Sequence, residues 1–264
     1  PCLAKTSESP KPNIVFILAD DMNRDSWGIY GSVDCETPNI DQLASEGMRF
    51  DRAYCSVSMC APYRQELYSG RSPWRTGTLP NHSKSKSGTK SIPHYLQPLG
   101  YRVALVGKSH VGPQQCYPFE FFPGDGDNSK DPNPYCLELA GKFMDSCAAE
   151  DKPFCIFIAS HDAHGPDTTG DRSAYDAALL TIPPYWPATP ELRRGLAKYS
   201  AEVSNFDKLV AQMRGELESR GLWDNTIFMV CSEQGSSFPF GKWTCYDHGL
   251  HSGLVAPCAG VTSS

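Results

Sequence analysis

The run Asn13-Ile14-Val15-Phe16-Ile17-Leu18-Ala19, followed directly by Asp20-Asp21, decides the fold. After Asn13 every residue of the run is apolar, with no polar alternation. That reads as a strand buried on both faces, the habit of a parallel sheet covered by helices on each side. The two carboxylates then stand beyond its carboxyl end, where open α/β sheets collect ligands. Side by side they repel, and they are costly to desolvate unless a cation neutralises them. Oxygen donors of this kind suit a hard divalent ion, calcium or magnesium. The plainer reading is a solvated turn in which one Asp caps a helix.

Working outward, Arg102 to Val106, Pro153 to Ala159 and Thr226 to Cys231 read as further buried strands, with another around Leu254. Thr37-Pro38 opens a predicted helix running through Gly47, and Ala61 to Ser69 reads as a helix beginning directly after Cys60. Ser91 to Leu99 is a short helix stopped by Gly100. Leu196, Tyr199, Val203, Phe206, Val210, Met213 and Leu217 step by three and four, one long amphipathic helix ending near Gly221. Gln114 to Pro134 and Thr168 to Pro190 are rich in Pro and Gly and read as long loops. The alternation predicts an α/β fold with a mostly parallel central sheet flanked by helices. Residues 1–12 are expected to be an N-terminal tail and 13–264 one catalytic domain.

Composition narrows the classes. Apolar content of 40% with 20% charged residues is ordinary for a globular enzyme. A net charge of −6 argues against nucleic acid as a general partner, and no apolar run is long enough to span a membrane. Eleven cysteines point to an exported protein of a periplasmic, extracellular or lysosomal-type compartment, although Cys155 and Cys231 lie inside strand-like runs and read equally as buried thiols. The sequence starts at Pro1, so any targeting peptide is expected to have been removed. Asn81-His82-Ser83 matches a glycosylation sequon, a short pattern with a high chance rate.

Polar residues follow the strands. Cys60-Ala61-Pro62-Tyr63-Arg64, trailed by Leu67, Ser69 and Gly70, places a Cys at a helix start, where backbone N–H groups favour an anion and Arg64 lies one turn on. Gly107-Lys108-Ser109-His110 ends one strand, with Lys108 and His110 expected on one side of an extended segment. Ser160-His161-Asp162-Ala163-His164 ends another, and Ser232-Glu233-Gln234-Gly235 a third, with Lys242 shortly beyond. Singly, each has a dull explanation, such as a turn His or a capping carboxylate. Their joint placement at strand ends does not.

These segments, in this order, resemble the sulfatase family of the alkaline phosphatase superfamily over about Asn13 to Pro257. Cys60-x-Pro62-x-Arg64 is similar to the signature that directs oxidation of Cys to formylglycine. Lys108 to Pro113, Tyr117-Pro118-Phe119 and Phe238-Pro239-x-Gly241-Lys242 look closest to the heparan N-sulfatase (sulfamidase) branch. The resemblance implies a metal, calcium or magnesium, bound by Asp20, Asp21, Glu233, Gln234 and the formylglycine at position 60. It implies that Arg64 holds the formylglycine hydrate, that Lys108 and Lys242 grip sulfate, and that His110 and His164 move protons. His161 shares that loop, but His164 is the better match. One hydroxyl of the hydrate would attack sulfur, and loss of the second proton would expel sulfate.

The implied substrate is a sulfated carbohydrate of the glycosaminoglycan type, and the implied partner in maturation is a formylglycine-generating enzyme. Glu233-Gln234 departs from the family's usual Asp-Asn or Asp-His, and Tyr63 from the commoner Ser. The family's smaller C-terminal domain is apparently absent, so a second fragment or self-association is expected to cover apolar surface near Leu250 to Ala256. Two alternatives remain open: a phosphonate or phosphodiester hydrolase of the same superfamily, and a catalytically inactive sugar-binding relative.

Overall fold

The computed structural model describes residues 10–122 and 133–257. In chain order the strands are β1 (Asn13–Ala19), β2 (Gly47–Arg49), β3 (Ala53–Tyr54), β4 (Arg102–Gly107), β5 (Glu120–Phe122), β6 (Phe154–Ala159), β7 (Thr226–Ser232), β8 (His251–Ser252) and β9 (Leu254–Pro257). The helices are α1 (Pro38–Ser45), α2 (Cys60–Ser69), α3 (Pro73–Thr76), α4 (Ile92–Leu96), α5 (Asn133–Ala149), α6 (Pro190–Ser219) and α7 (Asp247–Leu250). Seven strands form one sheet in the order β2-β9-β7-β1-β6-β4-β5. β1 lies parallel between β6 and β7, and β4 and β5 extend the parallel set. β9 and β2 close the other edge antiparallel.

The doubly buried reading of β1 holds residue by residue. Val15, Ile17 and Ala19 face a core shared with α1, α5 and α6, while Phe16 and Leu18 face a second core with Tyr63 and Tyr68 of α2 and Phe119. Full burial of side chains of this size stabilises by about 1.5–3 kcal/mol each, which is why no polar residue interrupts the run. Register then aligns the strand ends. Leu18 pairs with Ala159, Gly107 with Ala159, and Ala19 with Ser232. The residues that follow β1, β4, β6 and β7 therefore emerge along a single edge.

Several boundaries differ from the sequence reading. α1 stops at Ser45 because Gly47 opens β2, and Thr37 does not cap it through its side chain; Thr37 Oγ1 accepts from Gly28 N at 2.8 Å. α6 begins earlier than expected, at Pro190, with Thr189 Oγ1 accepting from Leu192 N at 3.2 Å. The segment expected to be a loop over 114–134 contains β5 and the start of α5; residues 123–132 lie outside the described residues. α5 was hidden because its buried stripe, Cys136, Ala140, Phe143, Met144 and Cys147, is built largely of small residues and Cys around Gly141. The apolar exposure expected near Leu250 to Ala256 lies one strand further out. Val255 is fully buried, whereas Met48 on the edge strand β2 is 51% exposed.

Cys155 and Cys231 are buried free thiols, as their place inside strands suggested. Among the described residues no helix is long and apolar enough to cross a membrane.

Gly107 is where β4 turns into the site. Its φ is +86°, and an added Cβ would lie 2.2 Å from the carbonyl oxygen of Ala159 on the neighbouring strand. Gly107→Ala is expected to destabilise by roughly 3 kcal/mol, lowering Tm by about 10 °C in a thermal melt. An unchanged melt would show that β4 and β6 separate easily.

Candidate active site

α2 begins at Cys60 itself, which is 1% exposed and faces the end of β1. Its Sγ lies 3.5 Å from Asp20 Oδ1, 3.6 Å from Asp21 Oδ1, 3.7 Å from Gln234 Nε2 and 3.8 Å from Lys108 Nζ. Three segments distant in sequence thus converge on one sulfur. Arg64, fully buried one turn along, donates to Glu233 Oε2 at 2.7 Å and to the Lys108 carbonyl at 2.9 Å. Lys108 pairs with Asp20; Lys242 Nζ pairs with Asp21 Oδ2 at 2.7 Å, and Gln234 Nε2 also donates to Asp21. Three carboxylates and three cations therefore share a pocket in which none of the six is more than 8% exposed.

The electrostatics are uneven. Burial raises the Asp20 carboxyl, but Lys108 and Arg64 overcome it and hold the group well below the ordinary carboxylate range. Glu233 goes the other way: burial, with the charge of Asp20, outweighs Arg64 and pushes it up. The Cys60 thiol is raised by burial and then by Glu233 and Asp20, so a free thiolate is disfavoured here. Burial, reinforced by the positive Lys108 and Arg64, pulls His110 down to about 3, which leaves it neutral at pH 7.

A divalent cation fits this donor set. Glu233 Oε1 and Gln234 Oε1 are both buried oxygens with no hydrogen-bond partner, beside two further carboxylates. Unsatisfied buried acceptors are uncommon and call for an explanation, and an ion is one. Asp20, Cys60 and His164 each offer a ligand atom, all within 4.8 Å of one another. Oxygens dominate the set, which favours calcium or magnesium over softer metals.

The histidines sit around the mouth. His164, with its side chain 40% exposed, has Nε2 3.7 Å from Asp21 Oδ2 and Nδ1 2.7 Å from the Gly165 carbonyl. That carbonyl can only accept, so Nδ1 carries a proton and Nε2 is the atom turned to the site. His161 lies in the same loop with a buried, unpartnered Nε2. The extended Lys108 to His110 segment expected from alternation is instead irregular, since Gly107 and His110 both have left-handed φ, +86° and +48°. Left-handed backbone breaks the two-residue alternation that a strand would impose.

Sequence reasoning missed the part played by five supporting residues. Asn81 Oδ1 accepts from Ala61 N at 3.3 Å at the head of α2, a use of the side chain that the sequon reading hid. Ser237 Oγ donates to Asp21 Oδ2 at 3.2 Å. Asn23 Oδ1 accepts from Ser236 N at 2.7 Å and so holds the Gln234 turn against β1. Gly235 could not be larger, because an added Cβ would meet the His248 carbonyl at 2.0 Å. Asp162 is buried; it accepts from Asn133 Nδ2 at 2.7 Å and Asn205 Nδ2 at 3.0 Å and thereby anchors the His161 to His164 loop. None of these follows a recognisable spacing.

Comparison with known proteins gives the same family. The sulfatase family model matches residues 12–260. An ulvan-active sulfatase of Formosa agariphila is 32% identical over 250 residues, covering 94% of this chain and 49% of the relative. Human N-sulphoglucosamine sulphohydrolase is 30% identical over 277 residues, covering 92% and 54%. The chain thus spans about half the length of the curated relatives it matches. The solved structure of the Bacteroides fragilis protein yidJ, described as a sulfatase, superposes with a TM-score of 0.80 at 20% identity, covering 98% of this chain and 70% of that one. Since the family match runs through every strand that feeds the Cys60 cluster, this chain belongs to the sulfatase family.

Proposed function

We propose that this chain carries the catalytic machinery of a hydrolase that cleaves sulfate esters or sulfamates from a sulfated saccharide. Residue 60, converted to formylglycine, is the nucleophile, and a divalent cation, calcium in preference to magnesium, is held by Asp20, Asp21, Glu233, Gln234 and residue 60. The observation that supports this most is the convergence of both aspartates, Gln234 and Lys108 within 3.8 Å of the Cys60 sulfur, in a Cys-x-Pro-x-Arg segment at a helix start.

Formylglycine supplies an oxygen nucleophile where the thiol, raised in pKa, is a poor one. The cation supplies positive charge beside the reacting sulfate. Every other role falls to the chain. Arg64, Lys108 and Lys242 together with a divalent ion would outweigh the charge of Asp20, Asp21 and Glu233, leaving the pocket positive and suited to an anionic ester. With Asp20 and Asp21 holding the cation, Lys108 and Lys242, which otherwise pair with them, would be free to face the sulfate oxygens and stabilise charge as the S–O or S–N bond breaks. Arg64 keeps residue 60 and Glu233 in place. His110, neutral, would accept a proton from residue 60, and His164, when protonated on both nitrogens, would deliver the one on Nε2 to the leaving oxygen or nitrogen, keeping the one on Nδ1 bonded to the Gly165 carbonyl.

Exposed rings at Tyr185, Phe240, Trp243 and Tyr246 flank Lys242, flat apolar faces that suit sugar rings. Export, maturation by a formylglycine-generating enzyme and completion of the fold by a further segment or a second copy belong to the same proposal.

The test is turnover by protein co-expressed with a maturing enzyme and assayed with calcium. 4-Nitrophenyl sulfate and sulfated saccharides are expected to be hydrolysed at least about a hundredfold faster than 4-nitrophenyl phosphate or its diester, a gap of near 3 kcal/mol in barrier. Preference for the phosphate diester would overturn the reading.

A further inference from the structure

Charge is distributed unevenly along this acidic chain. Residues 67–119 contain seven Lys or Arg and no Asp or Glu, although the chain as a whole carries 30 acidic residues against 24 basic ones. Two of the seven are ion-paired, Arg102 with Glu120 and Glu150, and Lys108 with Asp20. The other five, Arg71, Arg75, Lys84, Lys86 and Lys90, are exposed and make no ion pair among the described residues. A run of lysines is usually no more than a solvated face. Here the backbone argues otherwise.

In His82-Ser83-Lys84-Ser85-Lys86, Ser85 turns inward while His82, Lys84 and Lys86 are exposed. Ser85 is buried, and its N and Oγ both donate to Gln65 Oε1 at 3.0 Å, while Gln65 Nε2 donates to the Ser83 carbonyl at 2.9 Å. Gln65 is fully buried and neighbours Arg64 on the helix that Cys60 opens. On the other side Ser85 N donates to the Gly112 carbonyl at 2.7 Å, in the loop that carries His110. The Lys84 stem lies against Gly112, which has no side chain to displace it. The His82 ring meets the His110 ring edge-on, 5.3 Å between centroids. The strip, which begins at a left-handed turn at His82, is thus fastened to both the nucleophile helix and the histidine loop.

We infer that His82, Lys84 and Lys86 form a second anion subsite beside the catalytic pocket, for a sulfate or carboxylate on a neighbouring position of the same saccharide. The substrate class is therefore a polyanionic saccharide rather than a singly sulfated one. This rests on the sulfatase reading above. Lys84 and Lys86, two held cations without an ion-pair partner among the described residues, gain most from a ligand that brings several anions at once, because their backbone is already ordered, and the His82 ring adds a polar edge beside them.

The test measures binding of a dextran sulfate oligomer to the whole chain by calorimetry at about 50 mM NaCl, together with its competition against 4-nitrophenyl sulfate by equilibrium dialysis. The Lys84→Gln/Lys86→Gln protein is expected to bind the oligomer about tenfold more weakly, with the difference shrinking at high salt as screening shortens the reach of the charges. Lys208→Gln, an exposed lysine on α6, is expected to bind as the parent does. The oligomer should displace 4-nitrophenyl sulfate from the parent and do so less well from the double variant. Equal weakening by Lys208→Gln would mean diffuse attraction and overturn the subsite. So would oligomer binding that depends on Lys84 and Lys86 but leaves 4-nitrophenyl sulfate in place, which would describe an anchoring surface. If 4-nitrophenyl sulfate is neither bound nor hydrolysed, the sulfatase reading falls and the subsite with it.

Discussion

Cys60→Ala is expected to lower kcat on 4-nitrophenyl sulfate by about 10⁴-fold or more, with the fold intact, because it removes the only atom on which the proposed nucleophile can be built. The side chain is small and 1% exposed, so truncation costs packing worth about 1 kcal/mol, against the loss of an entire covalent step. Asp20, Asp21, Lys108 and Gln234 remain to hold one another. Circular dichroism and the thermal melt should therefore change little while turnover disappears. In the active parent, the peptide containing residue 60 should have the mass of formylglycine. A parent that hydrolyses sulfate esters with unmodified Cys60, or an Ala variant that keeps a tenth of the activity, would remove residue 60 from the chemistry.

Asp20→Ala is expected to abolish both cation binding and turnover, and unlike Cys60→Ala it should also destabilise the fold. Asp20 is fully buried, pairs with Lys108 and lies 3.8 Å from Arg64. Removing one partner of a buried pair strands the other charge, at about 3–5 kcal/mol. Asp20→Asn, which keeps shape and hydrogen bonding, should recover much of that stability without recovering cation affinity, so the two effects separate. The sign with pH follows from the direction of the shift. Lys108 and Arg64 hold the Asp20 carboxyl below its unfolded value near 4, so its contribution is complete above that pH and is lost as pH falls toward the folded value. Calcium titrated calorimetrically into parent and variant measures the first effect, and urea midpoints the second. Full occupancy in Asp20→Ala would put the cation elsewhere.

Both variants act on residues that are readable in the sequence. Cys60 and Arg64 lie in a spaced signature, and Asp20-Asp21 stand after an apolar run that could only be an inner strand, so both were visible in one dimension. Asn81, Ser237 and Asn23 were not, because each acts through a single hydrogen bond whose partner is 20 to more than 200 residues away. α5 was missed because its buried stripe is mostly Cys and Ala, with large apolar side chains only at Phe143 and Met144, and α6 began six residues earlier than its periodicity suggested, since its first turn is capped rather than packed.

By itself the sequence determined the layer architecture, the direction of the central strands and the family, since apolar runs of this length and purity can be buried only inside a parallel sheet and the signature residues are contiguous. Tertiary structure alone decided the state of the site. It pairs Lys108 and Lys242 with the two aspartates, leaves Glu233 Oε1 and Gln234 Oε1 without partners, turns the His110 segment left-handed, and sets the His82 to Lys86 strip against the nucleophile helix. The physical reason is range. Strand and helix preferences are settled by neighbours a few residues apart, whereas ion pairing and burial are settled by whichever groups the sheet register brings within about 4 Å, and register is a property of the folded chain.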